Sequence, residues 1–283
     1  MSDKLAVLML AFNRPELTRQ VFEAVKQYKP SKLYVALDGA RRNVVEDKVK
    51  CEKTKAIFSD VDWDCKVVTL FRDENLGCGK AVSSAISWFF DQEEEGVILE
   101  DDCVPDQSFF NYCKTLLEFH RHNTKVMHIG GTNFHSGKKF GDASYYYSSI
   151  PHVWGWATWR RAWKKYDFNL SDLNYFLNNN IIEKYVGKGK VNDFWLEVFC
   201  KMNQKQIDTW DYQWQYTIWN NNGLSIIPQV NLIKNIGFGA DATHTTEEHV
   251  FGNMRTCSIG DIIHPQIILI NKEADKAFFN LNQ

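Results

Sequence analysis

Four short apolar runs, three of them followed by a stretch of helical spacing, constrain the fold of this chain more than any other feature. KLAVLMLAF, KLYVALDGARR, CKVVTLFRD and GVILEDD are each long enough for one strand and too short for a stable helix. Between them lie NRPELTRQVFEAVKQY, a stretch over about 44–58 and NLGCGKAVSSAISWFFDQ, and Pro15 suits the first turn of the first helix. This βαβαβαβ alternation predicts a mostly parallel sheet with helices on both faces, because right-handed crossovers return each strand beside an earlier one. Ligands in such sheets bind beyond the carboxyl ends of the strands. Asn13, Arg14, Asp38, Asp73, Asn75 and the run Glu100-Asp101-Asp102 all fall at those ends.

The acidic run is the least ordinary of these. GVIL reads as a buried strand, yet it ends in three adjacent carboxylates with no Lys or Arg close in sequence. An acidic turn before a helix accounts for Asp106, which precedes SFFNYCKTLLEF, but not for the triplet. Mutual repulsion calls for a cation from elsewhere. A hard divalent ion, Mn²⁺ or Mg²⁺, held by one or two protein oxygens and by substrate phosphates, meets that need and implies a strained site without it.

Charge and cysteine usage exclude several classes. Lys plus Arg number 33 against 35 Asp plus Glu, which leaves no basic field for nucleic acid. No run approaches a membrane span, and MSDKLAVLML lacks a cleavage-like site, so a cytoplasmic protein is expected. The seven cysteines are scattered singly, without metal or redox spacing, and the one Asn-x-Ser match, at Asn169, is weak evidence of secretion.

Other segments carry two readings each. NLGCGKA departs from both phosphate-loop fingerprints, so it reads first as a glycine-rich helix start, with Lys80 as a diphosphate contact in the functional reading. In HVWGWATWRRAWKKYD, Trp159 and Trp163 lie four apart on an expected helix and read as core. Trp154, Gly155 and Trp156 read as a loop lining a sugar pocket. In DTWDYQWQYTIW, Asp211 opens an expected helix, either as a dipole-favoured carboxylate or as a general base flanked by Trp210 and Trp214. His244, between two threonines, is either a hydrogen-bonded structural residue or a ligand to metal or diphosphate; His128, His135 and His152 have weaker claims.

LAVLMLAFNRP, YVALDGA, VILEDDCVPDQSFFNYC, HIGGTNF, HVWGWATWRRAW, TWDYQW and IIPQVNLIKNIGFG occur in an order that resembles the GT-A nucleotide-diphosphosugar transferases. The pattern is similar to N-acetylglucosaminyltransferase I and to bacterial surface-polysaccharide enzymes. The resemblance implies that Asp102 binds the metal, Glu100 and Asp101 hold nucleotide and sugar, Arg14 lies near the diphosphate, and Asp38 contacts the base. It implies that Trp210-Asp211 marks the base of an inverting transfer. A counterpart to the family's nucleotide-contacting histidine is missing after Gly79, and the tryptophan-rich loop differs in detail.

The expectation is therefore one GT-A domain. Residues 1–130 form its nucleotide-sugar portion and 131–283 an aromatic-rich acceptor and catalytic portion. Donor and acceptor would be a nucleotide sugar, a UDP-sugar such as UDP-GlcNAc, and a glycan or lipid-linked glycan, the latter allowing contact with the inner membrane face. The rivals are a non-catalytic carbohydrate-binding protein and a metal-dependent phosphohydrolase or nucleotidyltransferase. A dinucleotide-binding dehydrogenase is disfavoured, since AFNRPE has no glycine in the first βα turn.

Overall fold

Alternation along the first four strands decides which residues meet. The computed structural model describes residues 4–238, 251–252 and 254–281. It forms the expected strands β1 (Val7–Ala11), β2 (Lys32–Leu37), β3 (Lys66–Phe71) and β4 (Glu95–Glu100). The helices between them are α1 (Pro15–Tyr28), α2 (Val45–Ile57) and α3 (Cys78–Gln92). Val7, Met9, Leu33, Val35, Val97 and Leu99 point to one face, where they join α1 and α4 (Ser108–Phe119) in one core. Leu8, Leu10, Tyr34, Ala36 and Ile98 point to the other and join α3. Both sets are buried, which is why these runs are continuously apolar rather than alternating.

The second half of the chain extends the same sheet. Its strands are β6 (Val126–Gly130), β7 (Tyr145–Ser148), β8 (Trp156–Trp159) and β9 (Leu224–Pro228). The eight strands run in the order β3-β2-β1-β4-β8-β6-β9-β7. The first four are parallel. β8 is inserted antiparallel between β4 and β6, β9 is parallel to β6, and β7 closes the edge antiparallel. The expected mostly parallel α/β sheet flanked by helices is thus observed, and one sheet runs through both halves. A second ribbon pairs β5 (Cys103–Pro105) with β10 (Ile233–Asn235), holding a late segment against the residues that follow β4.

Helices α5 (Arg160–Trp163), α6 (Leu173–Asn178), α7 (Ile181–Val186), α8 (Lys190–Asn203) and α9 (Asp211–Asn220) bury their apolar residues on the α3 face. Helix α10 (Lys272–Leu281) lies near the end of the chain. The helix expected to carry both Trp159 and Trp163 is not formed. Trp159 ends β8 and Trp163 lies in α5, on opposite sides of the sheet, because pairing of WATW with β4 overrides the four-residue spacing. Both rings are core, as expected. Among the described residues no helix is long and apolar enough to cross a membrane.

Candidate functional site

Parallel register brings three strand ends together. Leu10 lies opposite Glu100, and Ala11 opposite Leu37. Arg14, Asp38 and the acidic triplet therefore emerge at one edge of the sheet. Arg14 is the residue before α1, and its guanidinium turns back onto β4. Its Nε donates to Asp101 at 3.2 Å, one Nη makes a second bond to Asp101, and the same nitrogen lies 3.0 Å from Asp102. The cation that the triplet requires is thus present within the chain, 87 positions upstream, and the strain expected of a bare triplet is partly relieved.

One guanidinium does not balance three carboxylates. Burial, then the charges of Asp102 and Asp101, raise the Glu100 carboxyl well above the usual carboxylate range, and Asp211 adds to the effect. Burial raises Asp101 too, against the pull of Arg14. Burial disfavours the charged form of Arg14, but Asp101 and Asp102 more than offset it, so the guanidinium stays protonated. This excess of buried negative charge fits a hard divalent cation held by Asp102 and completed by substrate oxygens. Among the described residues no group of three or more His, Cys, Asp or Glu side chains is placed to hold a metal ion by itself.

Backbone crowds Asp102 from the β10 side. Ile236 donates its N–H to the Asp102 carbonyl at 2.8 Å, and a Cβ added at Gly237 would lie 2.2 Å from Asp102 Oδ2. A side chain at that position would have to displace the Asp102 carboxylate. His244 lies outside the described residues.

Asp38 is buried, and its carboxylate is occupied: Asn75 Nδ2 donates to it at 2.9 Å and the Leu76 N–H at 3.1 Å. It ties the end of β2 to the loop entering α3. Asn13, also placed at a strand end by the sequence, donates to buried Asp47 at 2.7 Å beside the Arg41–Asp47 ion pair. Asp73 is exposed.

The glycine-rich helix start is explained by an unforeseen residue. Asp208 accepts the N–H groups of Cys78 and Gly79, each at 2.9 Å. A Cβ at Gly77 would meet the Asp208 carboxylate at 2.5 Å, and one at Gly79 the Thr209 carbonyl at 2.6 Å. The N-terminus of α3 is therefore capped by protein. Lys80 is exposed on its first turn. Three residues after Asp208, Asp211 opens α9 and accepts the Thr209 hydroxyl. Asp211 is near enough to Glu100 and Cys78 to act on both electrostatically. Burial first, then Glu100 and Asp211, push the Cys78 thiol up to about 12, so it is not a thiolate nucleophile.

The tryptophans are placed differently from the sequence expectation. Trp156 is fully buried, stacked on Trp210 at 5.5 Å and on His128 at 5.0 Å, and Trp210 is 3 % exposed. Neither ring is presented to a ligand. Trp214 is fully buried as well and donates to His128 Nδ1 at 3.2 Å. Gly155 adopts φ 60°, and a Cβ there would meet Ile233 at 2.4 Å, so it admits β10 rather than a sugar. Only Trp154 is partly exposed, and it packs on Phe134. The neighbouring residues Ile150, Pro151 and Val153 instead line a cavity of about 430 Å³, together with Asp211, Tyr212 and Phe194. His128 and His152 are buried, hydrogen-bonded framework residues, and His135 is buried with them.

No protein-family model matches the chain, and no curated protein matches it. Several solved structures overlap it partially. HddC from Yersinia pseudotuberculosis has 12 % identity over 61 % of this chain and 86 % of its own, with a TM-score of 0.36. The mannosyltransferase PcManGT from Pyrobaculum calidifontis, in complex with GDP-Man and Mn²⁺, has 12 % identity over 56 % of this chain and 45 % of its own, at 0.38. The 4-diphosphocytidyl-2C-methyl-D-erythritol synthase of Anaerococcus prevotii DSM 20548 has 10 % identity over 62 % and 83 %, at 0.37.

Proposed function

We propose that the protein is an inverting glycosyltransferase that moves a sugar from a nucleotide-diphosphate donor, a UDP-sugar, to a hydroxyl of a glycan acceptor. The observation that carries this reading is the convergence of Arg14, the Glu100–Asp102 cluster and Asp211 at one edge of the sheet, with a cavity walled in part by Asp211. Cation and carboxylates suit a diphosphate with its counter-ion; the last carboxylate and the cavity suit an acceptor.

In this reading Arg14 exchanges part of its bonding to Asp101 for the diphosphate, as a charge-assisted donor. Asp38 and Asn75 hold the loop that faces the base, and Glu100 and Asp101 border the sugar. A divalent ion on Asp102, when bound, neutralises charge on the diphosphate. Asp211 orients the acceptor hydroxyl and takes its proton. The hydroxyl oxygen then bonds to the anomeric carbon from the face opposite the diphosphate. The bond from that carbon to the diphosphate oxygen breaks, its electron pair leaves with the nucleoside diphosphate, and the anomeric configuration inverts.

The test is Asp211→Asn. Transfer is expected to fall by about 10²–10⁴ in kcat while nucleotide-sugar binding stays within a factor of two or so. Normal turnover in that variant removes the assigned base. Product analysis separates the reaction class, since sugar transfer releases an intact nucleoside diphosphate and nucleotidyl transfer releases pyrophosphate.

A further inference from the structure

The cavity beside Asp211 has a composition that the proposed reaction does not by itself require. Its volume of about 430 Å³ is within the usual ~300–1,000 Å³ of small-molecule sites. Four elements from distant parts of the chain build it: the loop Ile150–Val153, the first two turns of α8, those of α9, and the end of α10. Apart from Asp211, its side chains with polar atoms are Lys190, Gln215, Tyr212 through its hydroxyl and Trp195 through its indole N–H. Gln215 already spends its amide N–H on the Ser149 carbonyl at 2.9 Å, and Lys190 is exposed. The remaining wall is aliphatic and aromatic, including Val191, Phe194, Phe278 and Phe279. Phe194 is 50 % exposed, a large apolar surface left in water unless something covers it.

An oligosaccharide carries several hydroxyl groups per ring, and each one buried without a partner is penalised. This wall is largely apolar, and its few polar groups, Tyr212 and Trp195 among them, can meet only some of the hydroxyls of an oligosaccharide. We propose that the acceptor is a sugar bearing an apolar aglycone, an alkyl, polyprenyl or aryl group joined at its reducing end. The aglycone fills this cavity while the reacting hydroxyl is held at Asp211. This rests on the transferase reading above and adds the acceptor class.

The experiment uses the full chain and paired methyl and octyl β-glycosides of common hexoses, below the micellar concentration. Binding is followed without donor by intrinsic tryptophan fluorescence, Trp195 being part of the wall, and transfer is followed with a nucleotide-sugar panel. Octyl glycosides are expected to bind at least about 50-fold more tightly than methyl glycosides, since each buried methylene contributes roughly fourfold. The preference should shrink in Phe194→Ser, an exposed position that leaves the fold intact, and in Val191→Asp at unchanged Tm. Equal affinity for methyl and octyl partners, or no binding of either, overturns the proposal. Transfer to methyl glycosides as efficient as to octyl ones overturns it while leaving the transferase reading in place. Chain-length-dependent binding with no donor consumed under any condition overturns the transferase reading, and the acceptor assignment falls with it.

Discussion

Asp208 Oδ1 accepts the backbone N–H of Gly79 at 2.9 Å, across 129 positions of sequence. Its other oxygen accepts the Cys78 N–H, so one carboxylate caps α3 and anchors the segment that delivers Asp211. Two glycines make room for it, and both helix starts depend on the contact.

Asp208→Ala is therefore expected to cost about 1 kcal/mol of stability through the lost cap and to lower kcat more than it raises KM. Asp208→Asn, which keeps an acceptor oxygen, should recover most of the activity. Chemical denaturation and steady-state kinetics on both variants check this; equal kcat in Asp208→Ala and wild type would leave Asp208 with a purely local role.

Gly237→Ala drives a methyl carbon into the Asp102 carboxylate unless that side chain or the backbone moves. The expected result is a large loss of divalent-ion and nucleotide affinity, at least about tenfold, with thermal stability reduced by no more than about 2 kcal/mol because β10 is short. Calorimetric titration with Mn²⁺ and uridine diphosphate reads it directly. Unchanged affinity would show that Asp102 is free to rotate away from the late segment.

Arg14→Met removes the counter-charge of Asp101 and Asp102. Deleting one partner of a buried pair is usually worth ~3–5 kcal/mol, and the 18 % exposure of the Arg14 side chain places the expected loss nearer 2–3. Urea unfolding at neutral pH measures it. Arg14→Lys should restore only part, since an ammonium cannot reproduce the forked contacts.

His128 provides the pH dependence. Its Nδ1 accepts from Trp214 and its Nε2–H donates to the His152 carbonyl, so burial among rings keeps it neutral and holds its pKa down to about 3. His152, buried likewise, is lowered to about 3. The unfolded state binds these protons near pH 6.5 and the folded state does not, so stability is present above that value and is lost as pH falls toward 3. The slope is at most ~1.4 kcal/mol per pH unit for each histidine. Replacing His128 by Gln should flatten the fall in Tm between pH 6.5 and 4.5; an unaltered slope would mean that His128 is already charged in the folded protein.

How much was legible in the sequence differs between strand and site. β1, β2 and β4 announce themselves because burial on both faces needs unbroken apolar runs, and Arg14, Asp38 and Glu100–Asp102 follow at their ends by chain continuity. Asp208 was missed although the same segment yielded Asp211. A signal existed in the Asp-Thr pair just before a helix start, but its partners belong to a different helix. The tryptophan loop was misassigned because aromatic rings look alike in sequence whether they meet a sugar or one another; Trp156 and Trp210 meet one another, and Ile150–Val153, less conspicuous, line the cavity.

Local chemistry along the chain, then, was enough to determine the alternating elements, the edge of the sheet where polar groups gather, and the oddity of three adjacent carboxylates. Only the tertiary structure decided that Arg14 neutralises part of that charge, that Asp208 rather than a ligand caps α3, and that an apolar cavity opens beside Asp211. The reason is physical: periodicity and propensity act over a few residues, whereas ion pairs, caps and cavities depend on distances between segments that only packing sets.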